Sequence, residues 1–152
     1  MAALLDITST EIIVSHEPFL DQHGICDISS IFKFNNSLLQ ALHLSYNNLS
    51  GNLPSCICHE LPNLRMFYLD HNDISGNMPT VWNQCKELER LSLAFNSFNK
   101  GPMPGGIRSM TKLQRLFLMG NNLEVYAYKL DKRLNSLMMK VFRFCKICIS
   151  EN

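Results

Sequence analysis

The sequence predicts an α/β solenoid, a short stack of strand-and-turn units with a parallel sheet on its concave side. Three observations predict this fold. A cluster of leucines returns at an almost constant interval, an asparagine follows each cluster at a fixed offset, and three of these asparagines are followed by a Gly-x-x-Pro segment. Self-similarity at a period of roughly 20–50 residues is typical of stacked repeats, in which each unit buries its apolar side against the next.

Four segments share the template L-x-x-L-x-L-x-x-N-x-(L/I/F), the leucine-rich repeat signature, with Phe67 in place of the second leucine in the second segment. They begin at Leu39, Leu64, Leu88 and Leu113, separated by 25, 24 and 25 residues. Apolar residues within each segment alternate as in a strand, and the alternation stops at the asparagine, so a single amphipathic helix is excluded. The sequence therefore predicts a leucine-rich repeat solenoid of about four units.

Each position of the unit has a physical role. Alternation turns the leucines inward and the intervening residues outward, which predicts four parallel strands. The asparagines are predicted to stack where the chain turns and to pair backbone groups that would otherwise be buried without partners. This structural column comprises Asn47, Asn72, Asn96 and Asn121.

The second half of each unit predicts the convex side. Gly51, Gly76 and Gly101 are expected to permit a tight bend, and the following proline to start the outer segment. Apolar residues then recur at about every third position, which indicates a short helix or 3-10 turn. Cys85 holds one of these positions and is predicted to be a small buried hydrophobe.

Three regions are distinguished. Residues 38–124 carry the repeats, and residues 1–37 form an irregular segment, a degraded repeat or a non-standard cap. Residues 125–152 form a basic amphipathic tail, and the net charge changes from −3 before this boundary to +4 after it. For the tail we weigh a helix that closes the solenoid, a membrane-surface or partner helix, and non-homologous sequence from a misassembled gene.

Composition excludes several functions. A net charge of +1 over 152 residues argues against nucleic-acid binding. No apolar run reaches the roughly 20 residues of a membrane span, and the N-terminus lacks the pattern of a secretory signal.

The histidines are scattered and Cys145-x-x-Cys148 has no second pair, so no metal or small-molecule cofactor is expected. No nucleophile and base are placed together, which predicts no catalytic residues.

The repeat, extended to L-x-x-L-x-L-x-x-N-x-L-x-G-x-(I/L/M)-P, resembles the plant-type leucine-rich repeat of receptor-like kinase ectodomains. The stretch 42–54 is similar to the immune-receptor subfamily. The resemblance implies a non-enzymatic module that recognises a protein or peptide. The module would belong to a plasma-membrane receptor that perceives an extracellular ligand and signals in defence through a Ser/Thr kinase. A co-receptor is a further implied partner. The kinase motifs and the paired cysteines of the N-terminal cap are absent from this sequence.

Two alternatives stay open. Secreted plant inhibitors of cell-wall-degrading enzymes share the same repeat, and binding to a polygalacturonase would favour that interpretation. The second alternative is that the chain is a non-functional gene fragment. Solenoids need at least about three repeats and usually caps, and this chain has about four repeats with irregular ends.

The outward strand positions are the candidate binding residues, since aromatic and arginine side chains dominate interaction hot spots. We expect them to form a concave face that binds a peptide or protein. The predicted set is His43, Tyr46, Met66, Tyr68, Asp70, His71, Arg90, Phe95, Arg115 and Phe117. Two sequons, at Asn35 and Asn48, are compatible with N-glycosylation.

Overall fold

A computed structural model describes residues 10–14, 37–124 and 132, and five parallel strands of these residues build the concave sheet. In chain order the strands of the described residues are β1 (Glu11–Ile13), β2 (Ala41–His43), β3 (Ser50–Asn52), β4 (Met66–Tyr68), β5 (Asp73–Ser75), β6 (Arg90–Ser92), β7 (Gly101–Pro102), β8 (Arg115–Phe117) and β9 (Leu123–Glu124). The concave sheet has the order β1-β2-β4-β6-β8, while β3 pairs with β5 and β7 with β9 in two small parallel sheets. The leucine-rich repeat fold predicted from the sequence is confirmed.

Strand β1 is an addition to the four strands that the sequence predicts. It comes from the irregular N-terminal segment and pairs with β2 so that Ile12 lies beside Leu42. The backbone N–H of Val14 then donates to the carbonyl of His43 at 2.9 Å. The interval from Ile12 to Leu42 is longer than the 24 or 25 residues of the other units, so a search at constant period misses this strand.

The core runs without interruption along the solenoid. Leu42, Phe67, Leu91 and Leu116 face one another in register and are at most 1% exposed. The next inward column, from Leu44 to Leu118, is at most 4% exposed. Because each inward residue contacts its equivalents in the neighbouring units, the repeats form one core.

The asparagine column lies where each unit turns away from the concave sheet. The amide of Asn96 donates to the carbonyls of Leu69, Leu93 and Ala94 at 2.9–3.2 Å, and its oxygen accepts the N–H of Ile74 at 3.1 Å. One side chain thus satisfies backbone groups of its own unit and of the preceding one. Asn72 and Asn121 make equivalent bonds.

On the convex side, residues 37–124 form one turn of α-helix and two 3-10 helices. Helix α1 spans Ile57–Glu60, and the 3-10 helices span Val81–Gln84 and Gly105–Ser109. The predicted apolar positions of these arcs are buried. These residues are Ile57, Leu61, Leu64, Trp82, Cys85, Leu88, Ile107, Met110 and Leu113.

Cys85 is buried as predicted but is not a free thiol. It forms a disulfide with Cys58, 27 residues away, with 5.0 Å between the two Cα atoms. This bond joins α1 to the first 3-10 helix. The cysteine spacing does not reveal the pair, because the two residues meet only after consecutive repeats stack.

The predicted role of the Gly-x-x-Pro glycines is correct for two of the three. Gly51 and Gly76 have φ of 90° and 74°, where glycine is favoured. Gly101 has no positive φ and lies in β7. The third unit has an extra residue before this glycine, and the chain enters the bend by a different path.

Several predictions lie outside the described residues. The tail of 125–152 is one, apart from Lys132, and the others concern Asn35, Cys26, Cys145 and Cys148. Among residues 10–14, 37–124 and 132, no helix has the length and apolarity needed to cross a membrane.

Candidate functional site: the concave face

Strand register arranges the outward side chains in columns that run along the solenoid. The first column comprises Glu11, Ala41, Met66, Arg90 and Arg115. The second comprises Ile13, His43, Tyr68, Ser92 and Phe117. Beyond the strands, backbone bonds continue the register into a third column of Ser45, Asp70, Ala94 and Met119 and a fourth of Tyr46, His71, Phe95 and Gly120.

The ten predicted binding residues all lie on this face, and none of them is buried. Tyr46 and Phe95 are 53% and 47% exposed, which is unusual for large aromatic side chains. Ser92, by contrast, is only 4% exposed although its strand position points outward.

Sequence reasoning missed two residues of the face, Glu11 and Ile13 on β1. Ile13 is 64% exposed at the end of the second column. The run of β-branched residues at 12–14 is the signal that could have indicated a strand, but three residues are too few to identify a repeat.

Three rings of the fourth column form a continuous stack, which we call the aromatic stack: Tyr46, His71 and Phe95. Adjacent ring centroids are 4.3 Å apart in both pairs, with interplanar angles of 13° and 15°. All three residues have positive φ, between 52° and 61°, a conformation that is uncommon outside glycine. Stacking of the three rings offsets part of the free-energy cost of the left-handed backbone conformation.

Gly120 closes the aromatic stack on the β8 side. It has a φ of 69°, and a Cβ atom built on it would lie 2.5 Å from Cδ1 of Phe95. The ring of Phe95 therefore lies so close to the Cα atom of Gly120 that only the hydrogen atom of glycine fits there. The faces of the stacked rings are largely occupied, and their edges remain for a partner.

The second column contributes a smaller aromatic pair. The rings of His43 and Tyr68 are 4.6 Å apart and tilted by 45°. Nε2 of His43 lies 3.7 Å from a carboxylate oxygen of Glu11, too far for a hydrogen bond but within reach of a charge interaction. This end of the face thus combines a carboxylate, an imidazole and a phenol.

Asp70 lies near the middle of the face, and its carboxylate binds neighbouring strands. One oxygen accepts the hydroxyl of Ser45 at 3.1 Å, and the other accepts the hydroxyl of Ser92 and the N–H of Ala94. These contacts explain the burial of Ser92. They hold Asp70 in one orientation, so its charge is a fixed feature of the face.

Arg90 and Arg115 are directly opposite each other on β6 and β8. Nη1 of Arg90 lies 3.8 Å from the sulfur of Met66. Within the described part of the chain, neither guanidinium has a carboxylate at ion-pairing distance. The first column therefore runs from a negative end at Glu11 to a positive end at these two arginines.

Other ion pairs link successive units next to these columns. Arg65 pairs with Glu89, and Lys112 pairs with Glu87. The hydrogen bond and the charge of Glu89 raise the pKa of Arg65 above its ordinary value. Both pairs are largely exposed and contribute little to stability.

The described residues hold no group of three or more His, Cys, Asp or Glu side chains that could bind a metal ion. Asp70 and Ser92 touch each other, but the serine is buried. The geometry of the face fits recognition through shape, rings and charge.

Comparison with known proteins agrees with the fold. The Leucine Rich Repeat family model matches residues 38–59. No curated protein sequence matches the chain significantly. The chain is 34% identical to a chain of the BIR3–SERK2 complex from Arabidopsis thaliana, with a TM-score of 0.62, and the match covers 77% of this chain and 60% of that one.

Two further structures show the range of the fold. The Arabidopsis receptor kinase HAESA, solved in complex with the peptide hormone IDA and the co-receptor SERK1, is 26% identical with a TM-score of 0.63. That match covers 74% of this chain and 18% of that one. A plant ice-binding protein is also 26% identical, with a TM-score of 0.61 and coverage of 74% and 34%.

These findings define the class of protein. The chain has a leucine-rich repeat solenoid fold, and its structural neighbours include ectodomains of plant receptor kinases. Those ectodomains are extracellular recognition modules rather than catalytic domains. This chain spans 60% of the first of these structures and 18% of the second.

Proposed function

We propose that this chain is a non-enzymatic recognition module that binds an extended peptide or protein segment along its concave face. The observation that carries the proposal is the set of solvent-accessible aromatic and arginine side chains, half-buried or exposed, that lie in register on and beside a parallel sheet. Such side chains dominate binding energy at protein interfaces. Structural similarity to a receptor kinase that binds a peptide hormone and a co-receptor supports the same kind of partner here.

The dimensions of the face limit the ligand. Five strands at a spacing of about 4.8 Å give a sheet about 19 Å across, enough for about six residues of extended chain. The charges of the first column favour a ligand that places an acidic group near Arg90 and Arg115 and a basic group near Glu11. Apolar side chains would then lie over Met66 and Tyr68.

The proposal extends to the cellular role. Such a module serves on the extracellular side of the plasma membrane, in a receptor whose kinase transmits ligand perception to defence signalling. The disulfide between Cys58 and Cys85 supports an oxidising compartment. A protein co-receptor is the second partner.

A random peptide library displayed on phage, selected against the immobilised full chain, provides a probe. We expect the triple variant Tyr68→Ala, Arg90→Ala and Phe95→Ala to bind the selected peptides at least about tenfold more weakly. The matched control replaces His59, Asn83 and Lys86, exposed residues of the convex arcs, with alanine. Circular dichroism must show that both variants are folded.

The control variant should retain full binding. Equal affinity of the concave variant and the unchanged chain would refute the proposal, as would a loss confined to the convex variant. Selected peptides should also share an acidic residue, because the two arginines lack carboxylate partners among the described residues.

A further inference from the structure

The turn that leads from the aromatic stack into β3 carries the sequon Asn48-Leu49-Ser50. Asn48 is exposed and has a φ of 52°, at the outer corner of the turn. Leu49 is completely buried, and Ser50 begins β3 half-buried. The turn therefore anchors the middle residue of the sequon while it projects the asparagine into solvent.

Two neighbouring asparagines in this turn have different environments. Asn47 is 2% exposed, and its amide donates to the carbonyls of Val14 and Ser45 at 2.7 and 2.9 Å. The side chain of Asn48 makes no hydrogen bond to another described residue and so remains available for modification.

The equivalent turns of the other units provide comparisons. Asp73 and Ser97 replace Asn48 in the second and third units. The fourth unit reads Asn122-Leu123-Glu124, an exposed asparagine and a leucine without the hydroxyl residue that a sequon requires. Of these four turns, only the first meets the chemical requirement.

The disulfide is an independent observation on the compartment. Cys58, ten residues after Asn48, is bonded to Cys85 on the convex side. Structural disulfides form in oxidising compartments such as the endoplasmic reticulum, through which secreted glycoproteins also pass.

We propose that Asn48 carries an N-linked glycan. The glycan leaves the chain two residues after Tyr46, so it stands beside the aromatic stack and shields that margin of the concave face. The first column, which contains Met66 and Arg90, lies farthest from the aromatic stack and stays open. A partner must then approach the face from the side of the first column.

The test is expression of the full chain behind a secretion leader in plant cells, in an Asn35→Gln background that leaves one sequon. Enzymatic deglycosylation in heavy-oxygen water, followed by peptide mass spectrometry, should place the label on Asn48. Ser50→Thr should keep the label, because threonine also completes a sequon, and Ser50→Ala should abolish it. Glu124→Ser should add a second labelled site at Asn122.

Translation into microsomes gives the same information if a variant is not secreted. Translocated Ser50→Thr protein with its disulfide formed and an unmodified Asn48 would overturn the proposal. This result would not affect the recognition function, because the peptide-binding experiment uses residues outside the sequon.

Shielding is tested by modification of histidines with diethyl pyrocarbonate. His71 lies in the aromatic stack beside Tyr46, whereas His59 lies on the convex side with its side chain 79% exposed. The glycosylated chain should react more slowly at His71 than the Ser50→Ala variant, with equal rates at His59. Equal rates at His71 would overturn the shielding.

Discussion

Positive φ angles at Tyr46, His71 and Phe95 show how single residues adapt to a repeated turn. Every unit needs a left-handed residue just before its column asparagine, and glycine is the default choice for that conformation. Only the fourth unit uses it, at Gly120. The other three units have aromatic or imidazole rings at this position, and the stacking of these rings offsets part of the free-energy cost of the left-handed backbone. The same residues therefore form the exposed aromatic stack.

Gly120→Ala tests this arrangement. We expect a loss of about 1–2 kcal/mol in the free energy of unfolding, because the left-handed conformation disfavours a Cβ atom and that atom would collide with Phe95. Urea denaturation measures the change. Gly101→Ala is the matched control, since its Cβ would meet nothing within 4 Å, and it should change stability by less than about 0.5 kcal/mol. Equal losses in both variants would contradict the proposed contact.

Convex arcs pack against each other at the scale of whole elements. A Cβ atom on Gly106 would lie 2.5 Å from the carbonyl oxygen of Thr80 and 3.0 Å from the backbone nitrogen of Asn83. The second 3-10 helix therefore touches the backbone of the first. Successive units can stack this closely only because a residue without a side chain lies between them.

Gly106→Ala should cost about 1–3 kcal/mol in unfolding free energy, because rigid backbone on both sides must move apart. Its neighbour provides the control, since a Cβ atom on Gly105 would meet nothing within 4 Å. Thermal unfolding of the two single variants compares them directly. A Gly105→Ala variant as unstable as Gly106→Ala would show that helix geometry, rather than packing, sets the cost.

The disulfide between Cys58 and Cys85 joins the same series of arcs. A bond across 27 residues should stabilise the fold by about 3–4 kcal/mol through the entropy of the unfolded chain. We expect the Cys58→Ser, Cys85→Ser variant to lose most of that amount in urea denaturation. Cys56→Ser, which removes an exposed free thiol on the same arc, should leave stability unchanged.

Peptide mapping without reductant gives the direct check of the pairing. A peptide that joins Cys56, rather than Cys58, to Cys85 would contradict the disulfide described here.

At the scale of the whole molecule, we expect the repeats to unfold together, because one continuous core stabilises them. Buried residues from β2 to β8 belong to one cluster, so neighbouring units lose their contacts together. We expect the fluorescence of Trp82, the single tryptophan, and far-ultraviolet circular dichroism to follow one urea transition. Leu91→Ala in the central strand should shift both signals equally.

Separate midpoints for the two signals would contradict a single cooperative core and would support the interpretation of the chain as a non-functional fragment. Coincident midpoints are what a recognition module requires, because a binding face works only when its columns are held in register.

The class of fold, the direction of each strand side chain and the asparagine column follow from the repeat pattern alone. These features repeat at a fixed period, and each follows from local alternation and from the need to satisfy buried backbone groups. The same regularity placed the ten candidate residues on one exposed face, since strand register follows from the spacing of the leucines.

The repeat pattern does not show which side chains touch across units, and these contacts became visible in the folded chain. The fifth strand, the disulfide, the stacking of Tyr46, His71 and Phe95, and the anchoring of Asp70 all join residues more than 20 positions apart. Such contacts depend on the distance and twist between neighbouring turns of the solenoid. The sequence pattern shows which residues recur at equivalent positions, whereas the stacking of the units determines which of these residues are in contact.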